Sequence, residues 1–155
     1  MPRLSVPIVL AVLVGATAYE LLVALDVIEL GSQPGEGPPG AGVVGILAAI
    51  ALVASAGLSA ALARADRAPA LSALLAPAAG AFLLAYFYTY DPYYLPTLIR
   101  YAERDFVPPI LVFAFAAAAL AAGLVTLRSR RIGLALSVPT IIMCALAAFW
   151  TGIGH

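Results

Sequence analysis

The chain has few of the side chains on which enzymes and metal sites depend. Its only histidine is His155, its only cysteine is Cys144, and it has no CxxC, HExxH or phosphate-binding glycine loop. A single histidine argues against haem held by paired histidines, a zinc site and a Ser-His-Asp triad. A single cysteine cannot form an internal disulfide, and Cys144 lies in an apolar run as a small packing residue. We therefore predict a protein that is not an enzyme and holds no cofactor or metal.

Charged residues are scarce as well. They make up 10% of the chain, there is no lysine, and eight arginines balance eight acidic residues. No basic block is present, so we exclude nucleic acid as a partner. Asp91, Glu103 and Asp105 leave room for acid–base chemistry, but arginines lie among them and a surface ion-pair network is the simpler interpretation.

Apolar residues fill most of what remains. They make up 64% of the chain, and the mean hydropathy is +1.06, far from the balance of a soluble domain. A helix that crosses the roughly 30 Å of bilayer hydrocarbon needs about 20 apolar residues. Five segments qualify, at residues 4–30, 42–63, 69–88, 108–127 and 132–150. We predict an all-α integral membrane protein in which one domain, residues 1–155, forms a five-transmembrane-helix bundle.

The arginines predict an orientation, because short cytoplasmic loops accumulate basic residues. With the N-terminus inside, six arginines lie on the inner side: Arg3, Arg64, Arg67, Arg128, Arg130 and Arg131. Only Arg100 and Arg104 lie outside. We expect a multi-pass protein of the cell membrane with a cytoplasmic N-terminus and an extracytoplasmic C-terminus.

The first segment also has features of a cleavable signal peptide. It has a positive start, a short apolar stretch and an Ala-x-Ala site at residues 16–18. Apolar sequence resumes directly afterwards, which favours a membrane span. Cleavage would leave four spans and the same topology for the rest.

Glu20 is the most informative single residue. If Arg3 marks the inner interface, Glu20 lies inside the hydrocarbon, where an ionisable group must face protein or water. One interpretation makes Glu20 a proton-binding or substrate-binding carboxyl group. The other has it reach the outer surface, to hydrogen-bond a tyrosine or pair with Arg100 or Arg104. Asp26, further along the helix, is a second candidate ligand, although a solvated helix end explains it more simply.

Six of the seven tyrosines lie between residues 85 and 106. Tyr86, Tyr88 and Tyr90 close the third span as an interfacial aromatic cluster, and Tyr86 and Tyr90 are candidate ligand-binding residues. Beyond them, apolar residues recur at spacings of three, four and seven. This pattern predicts a short extracytoplasmic amphipathic helix between the third and fourth spans.

That amphipathic helix would cap the outer end of the bundle. It has three interpretations: a lid over a ligand cavity, a docking surface for another subunit, or an interfacial helix that only anchors the bundle. The candidate residues for docking or a lid are Asp91, Tyr93, Tyr94, Arg100, Tyr101 and Arg104.

Small residues recur at four-residue spacing within the spans, which predicts close helix packing. The pairs are Gly45 and Ala49, Gly57 and Ala61, Ala76 and Gly80, and Ala119 and Gly123. Pro77 and Pro139 fall in the middle of the third and fifth spans, where each is expected to kink its helix.

These features favour one function and leave two alternatives open. The leading hypothesis is a small non-catalytic subunit that packs in the bilayer against other integral membrane subunits or itself, with an energy-transducing complex as one candidate. The first alternative is a small proton-coupled transporter or channel that uses Glu20. The second is a protein that binds a lipid or other apolar ligand near Pro77 and Pro139.

Overall fold

The computed structural model describes residues 2–25, 40–90 and 109–153. These residues form five α-helices and one 3₁₀ segment, with no strand among them. The helices are α1 (Pro2–Ala24), α2 (Ala41–Arg64), α3 (Leu75–Tyr90), α4 (Pro109–Arg128) and α5 (Arg130–Ile153). The 3₁₀ helix (Ala70–Leu74) leads directly into α3.

Local chemistry explains where several helices begin. Gly40 precedes α2 with a φ of 80°, a left-handed conformation that glycine adopts without steric cost. Proline stands at the first position of α4, where its missing N–H would have no partner within the helix. Before α3, the Ser72 hydroxyl donates to the Pro69 carbonyl at 2.6 Å and stabilises the 3₁₀ turn.

The helices form a ring in the order α1, α2, α5, α4 and α3, and α3 also packs against α5. The span formed by the 3₁₀ helix and α3 is therefore the most enclosed of the five described spans: 56% of its apolar segment is buried, against 22% for α2. The core side chains that carry this packing are small or aliphatic, as in Leu13, Leu83 and Leu134.

α4 and α5 form a tight antiparallel hairpin joined by Ser129 alone. The Ser129 N–H donates to Val125, and the Ser129 carbonyl accepts from Gly133. Farther along the pair, the Cys144 thiol lies 3.8 Å from the Phe115 carbonyl. A methyl group at Gly133 would overlap the backbone of Thr126, so the helices approach this closely only because residue 133 is glycine.

The bundle is apolar on its outside as well as inside. Leu4, Val53 and Leu127 are each 73% exposed. Among the described residues, five helices are long and apolar enough to cross a membrane. Such a continuous apolar exterior is typical of a protein surrounded by lipid. The prediction of an all-helical chain with five candidate spans is confirmed for the described residues.

The structure changes some boundaries and one expectation about proline. Helix α1 ends at Ala24, and residues 26–30 of the first predicted span lie outside the described residues. The third span begins as a 3₁₀ helix, so Pro77 is the third residue of α3 and does not interrupt an α-helix in its middle. Pro139 does lie inside a continuous α5.

Candidate functional site

Glu20 is enclosed by the bundle, with 2% of its surface exposed. It lies on α1 against the C-terminal end of α3, where the Thr89 hydroxyl is 2.9 Å from the Glu20 backbone carbonyl and 2.9 Å from that of Ala85.

One oxygen of this carboxyl group is unusual. Glu20 Oε2 is fully buried and has no hydrogen-bond partner among the described residues. Most other buried hydroxyl groups in the spans are satisfied by a carbonyl one turn earlier, as Ser55, Thr126 and Ser137 are. An unsatisfied buried polar atom is costly, so the position calls for an explanation beyond packing.

No other carboxyl group of the described residues lies within a span at the depth of Glu20. Within residues 2–25, 40–90 and 109–153, no second carboxyl group therefore continues a path inward from Glu20. The sequence left open whether Glu20 faces protein or water, and the structure buries it among the helices; its depth in a membrane and its role in proton or substrate binding stay predictions.

A second feature is an apolar groove of about 740 Å³ on the face between α2 and α5. Its deep surface consists of buried residues, including Leu52, Phe82 and Ile141, and its rim includes exposed residues such as Val53 and Phe149. On α2 it runs from Gly45 to Ala56, eleven residue steps or about 17 Å of helix rise. That length is comparable to the hydrocarbon depth of one leaflet, about 15 Å.

Tyr86 lies in the groove lining, near the end of α3 that packs against Glu20. It is the one residue of the groove lining with a polar side-chain atom. Its ring stacks on Phe82 with centroids 5.6 Å apart, which orients the phenol within the lining.

The small-residue pairs divide into two groups. On α3, a methyl group at Gly80 would lie 3.1 Å from Ala119 Cβ, and on α4 one at Gly123 would meet the Pro77 ring and lie 2.8 Å from the Ala73 carbonyl oxygen. These pairs therefore allow α3 and α4 to pack closely. On α2, methyl groups at Gly45 and Gly57 would meet nothing within 4 Å.

Several predicted site residues cannot be placed. Asp26, Asp91, Tyr93, Tyr94, Arg100, Tyr101 and Arg104 lie outside the described residues, as does the predicted amphipathic helix. Tyr90 ends α3, and its side chain is not described. The proposed lid, docking surface or anchor stays a prediction.

The structure also adds residues that sequence reasoning missed. Thr89 and Phe82 join the neighbourhood of Glu20 and Tyr86. Phe82 lies four residues before Tyr86 and Thr89 three residues after it, a spacing that could have indicated one face of α3, but the sequence held no signal that this face meets α1 at Glu20. Pro77 does not line the groove, and Pro139 lies two residues from the groove residue Ile141.

These features define a class: an all-helical protein with five candidate membrane-spanning helices, which indicates a multi-pass membrane protein. Comparisons with protein-family models, with curated proteins and with solved structures found no match.

Proposed function

We propose that this chain is a non-catalytic integral membrane protein that binds an apolar ligand in the groove between α2 and α5. The observation that carries the proposal is the groove itself. Its volume of about 740 Å³ lies within the range of small-molecule sites, roughly 300–1,000 Å³. Its lining is apolar apart from one phenol, which is the composition of a site that holds a hydrocarbon and orients one polar group.

The proposed ligand is a lipid-like amphiphile with an extended chain. A groove about 17 Å long along α2 matches a chain that lies parallel to the helices within one leaflet. The ligand's polar group would hydrogen-bond to Tyr86. The chain would replace the lipid tails that otherwise cover Val53 and Phe149, so affinity would come from fit rather than from removal of apolar surface from water.

The groove can be tested by filling it. We expect Ala49→Trp, which places an indole in the lining, to reduce photolabelling of α2 and α5 by a diazirine-bearing long-chain alcohol by about tenfold, equivalent to 1.4 kcal/mol. Labelling is measured by peptide mapping of the full chain in lipid nanodiscs.

The matched control is Ala118→Trp, an exposed alanine of α4 outside the groove, which should leave labelling of α2 and α5 unchanged. Equal loss in both variants, or labelling spread evenly over all five helices, would contradict the assignment.

A second candidate function is a subunit that packs against other integral membrane subunits or a second copy. One observation favours it: α2 is the least buried candidate span and presents Gly57 and Ala61 on its exposed surface. Small residues without a neighbour allow another helix to approach closely. Partner identity and any energy-transducing complex stay predictions.

We expect extraction from native membranes with mild detergent to yield a complex larger than the single chain. Gly57→Leu should release the chain from that complex, because the added side chain blocks close helix approach, whereas Ala118→Leu should not. The mass of the complex separates self-association from other subunits. Recovery of the unchanged protein only as a monomer would argue strongly against this function.

A further inference from the structure

Five arginines gather at the end of the bundle opposite Glu20. They are Arg64, Arg67, Arg128, Arg130 and Arg131, and all are exposed. Arg64 and Arg128 are the last residues of α2 and α4, and Arg130 and Arg131 are the first of α5. Because these helices are candidate spans, their ends lie at the level of lipid headgroups.

Two contacts at this basic end join the loop after α2 to the start of α5. The Arg130 guanidinium donates to the Ala68 carbonyl at 3.0 Å, and Arg131 pairs with Asp66 at 3.3 Å. The Arg131–Asp66 pair is largely exposed and contributes little, so the Arg130–Ala68 contact is the one that keeps the start of α5 beside the loop after α2. Asp66 is the one acidic residue at this end among the described residues.

The remaining arginines are uncompensated. Arg64, Arg67 and Arg128 make no hydrogen bond or ion pair with any described residue. A guanidinium group offers a planar fork of donors that matches the oxygens of a phosphate group. Basic residues near a membrane surface attract anionic lipids, while a zwitterionic headgroup offers no net charge to them.

We propose that this arginine surface binds the phosphate headgroups of anionic phospholipids and selects them over zwitterionic lipids. The Arg130–Ala68 contact positions the surface, and Arg64, Arg67 and Arg128 contact the headgroups. The arginines could also reflect only the usual accumulation of basic residues on the cytoplasmic side of a membrane protein, which requires no lipid selectivity. A measurement of lipid selectivity therefore separates these two explanations of the arginine surface.

The test is lipid binding to the full chain in mild detergent, measured by native mass spectrometry with phosphatidylglycerol, phosphatidylcholine and inorganic phosphate as probes. We expect phosphatidylglycerol to bind at least about tenfold more tightly than phosphatidylcholine. The triple variant Arg64→Gln, Arg67→Gln, Arg128→Gln should lose most of that preference, since each basic residue contributes roughly a fivefold effect.

Asp66→Asn is the control, because it removes a negative charge where the arginine variants remove positive ones. It should preserve or strengthen phosphatidylglycerol binding. The single variant Arg64→Gln should give an intermediate loss and keeps the test valid if the triple variant unfolds. Equal affinity for the two lipids, or an unchanged preference in both arginine variants, would overturn the proposal. Displacement of phosphatidylglycerol by millimolar inorganic phosphate would overturn the assignment to lipid.

Discussion

Gly133→Ala is expected to destabilise the bundle by about 3 kcal/mol or more, the upper range for overpacking in a rigid interior. A methyl group at residue 133 would overlap the backbone nitrogen and Cα of Thr126, and backbone atoms cannot rotate away as a side chain can. Residue 133 lies only four residues after Ser129. The overlap between its added methyl group and Thr126 would therefore force α4 and α5 apart close to the turn that joins them.

The measurement is reversible unfolding of the full chain in detergent, followed by circular dichroism. Gly57→Ala is the control within the same chain, because its added methyl group meets nothing within 4 Å. That substitution should be neutral or stabilise by up to about 1 kcal/mol, the helix-propensity difference between alanine and glycine. Similar stabilities for the two variants would show that α4 and α5 do not pack as closely as described.

Glu20→Lys is expected to cost several kcal/mol and to prevent recovery of a folded bundle at normal yield. Glu20 is 2% exposed, so a lysine there would bring an ammonium group among apolar helices with no acidic partner among the described residues. An unpaired charge inside a membrane bundle is costly unless it reaches water. Glu20→Gln, which keeps the shape without the charge, should be far milder.

Leu21→Lys is the matched comparison, one residue along the same helix. Leu21 is 46% exposed. A lysine at this position can therefore extend its flexible side chain along the outer surface of the bundle toward the headgroups. Folded yield and unfolding midpoint in nanodiscs measure both variants. Equal tolerance of lysine at the two positions would mean that Glu20 faces water rather than the packed interior.

The sequence predicted the five spans because hydrophobicity alone determines which segments can cross a bilayer. Their described ends mostly lie within a few residues of the predicted ones; α2, predicted at residues 42–63, runs from Ala41 to Arg64. The depth of Glu20 in a membrane was inferred by the same reasoning and stays a prediction. The orientation of the termini and the cap remain predictions.

The neighbours of each helix could not be predicted, because nearly every span is apolar on all sides. Gly80 and Gly57 look alike in sequence, yet Gly80 contacts α4 and Gly57 has open space beside it. The groove likewise depends on how far α2 and α5 stand apart. The small polar residues of the two helices, such as Ser55 and Ser137, are buried outside the groove lining, so they do not indicate which faces form it.

The single-residue connection at Ser129 has a consequence for how the protein is made. One residue cannot reach across a bilayer, so the polypeptide must reverse direction as soon as α4 ends. In a membrane, α4 and α5 would therefore insert together as a helical hairpin, with their joined ends on one side and their other ends on the opposite side. The apolar length of α5 would then help α4 to enter the bilayer, even before the other helices assemble around the pair.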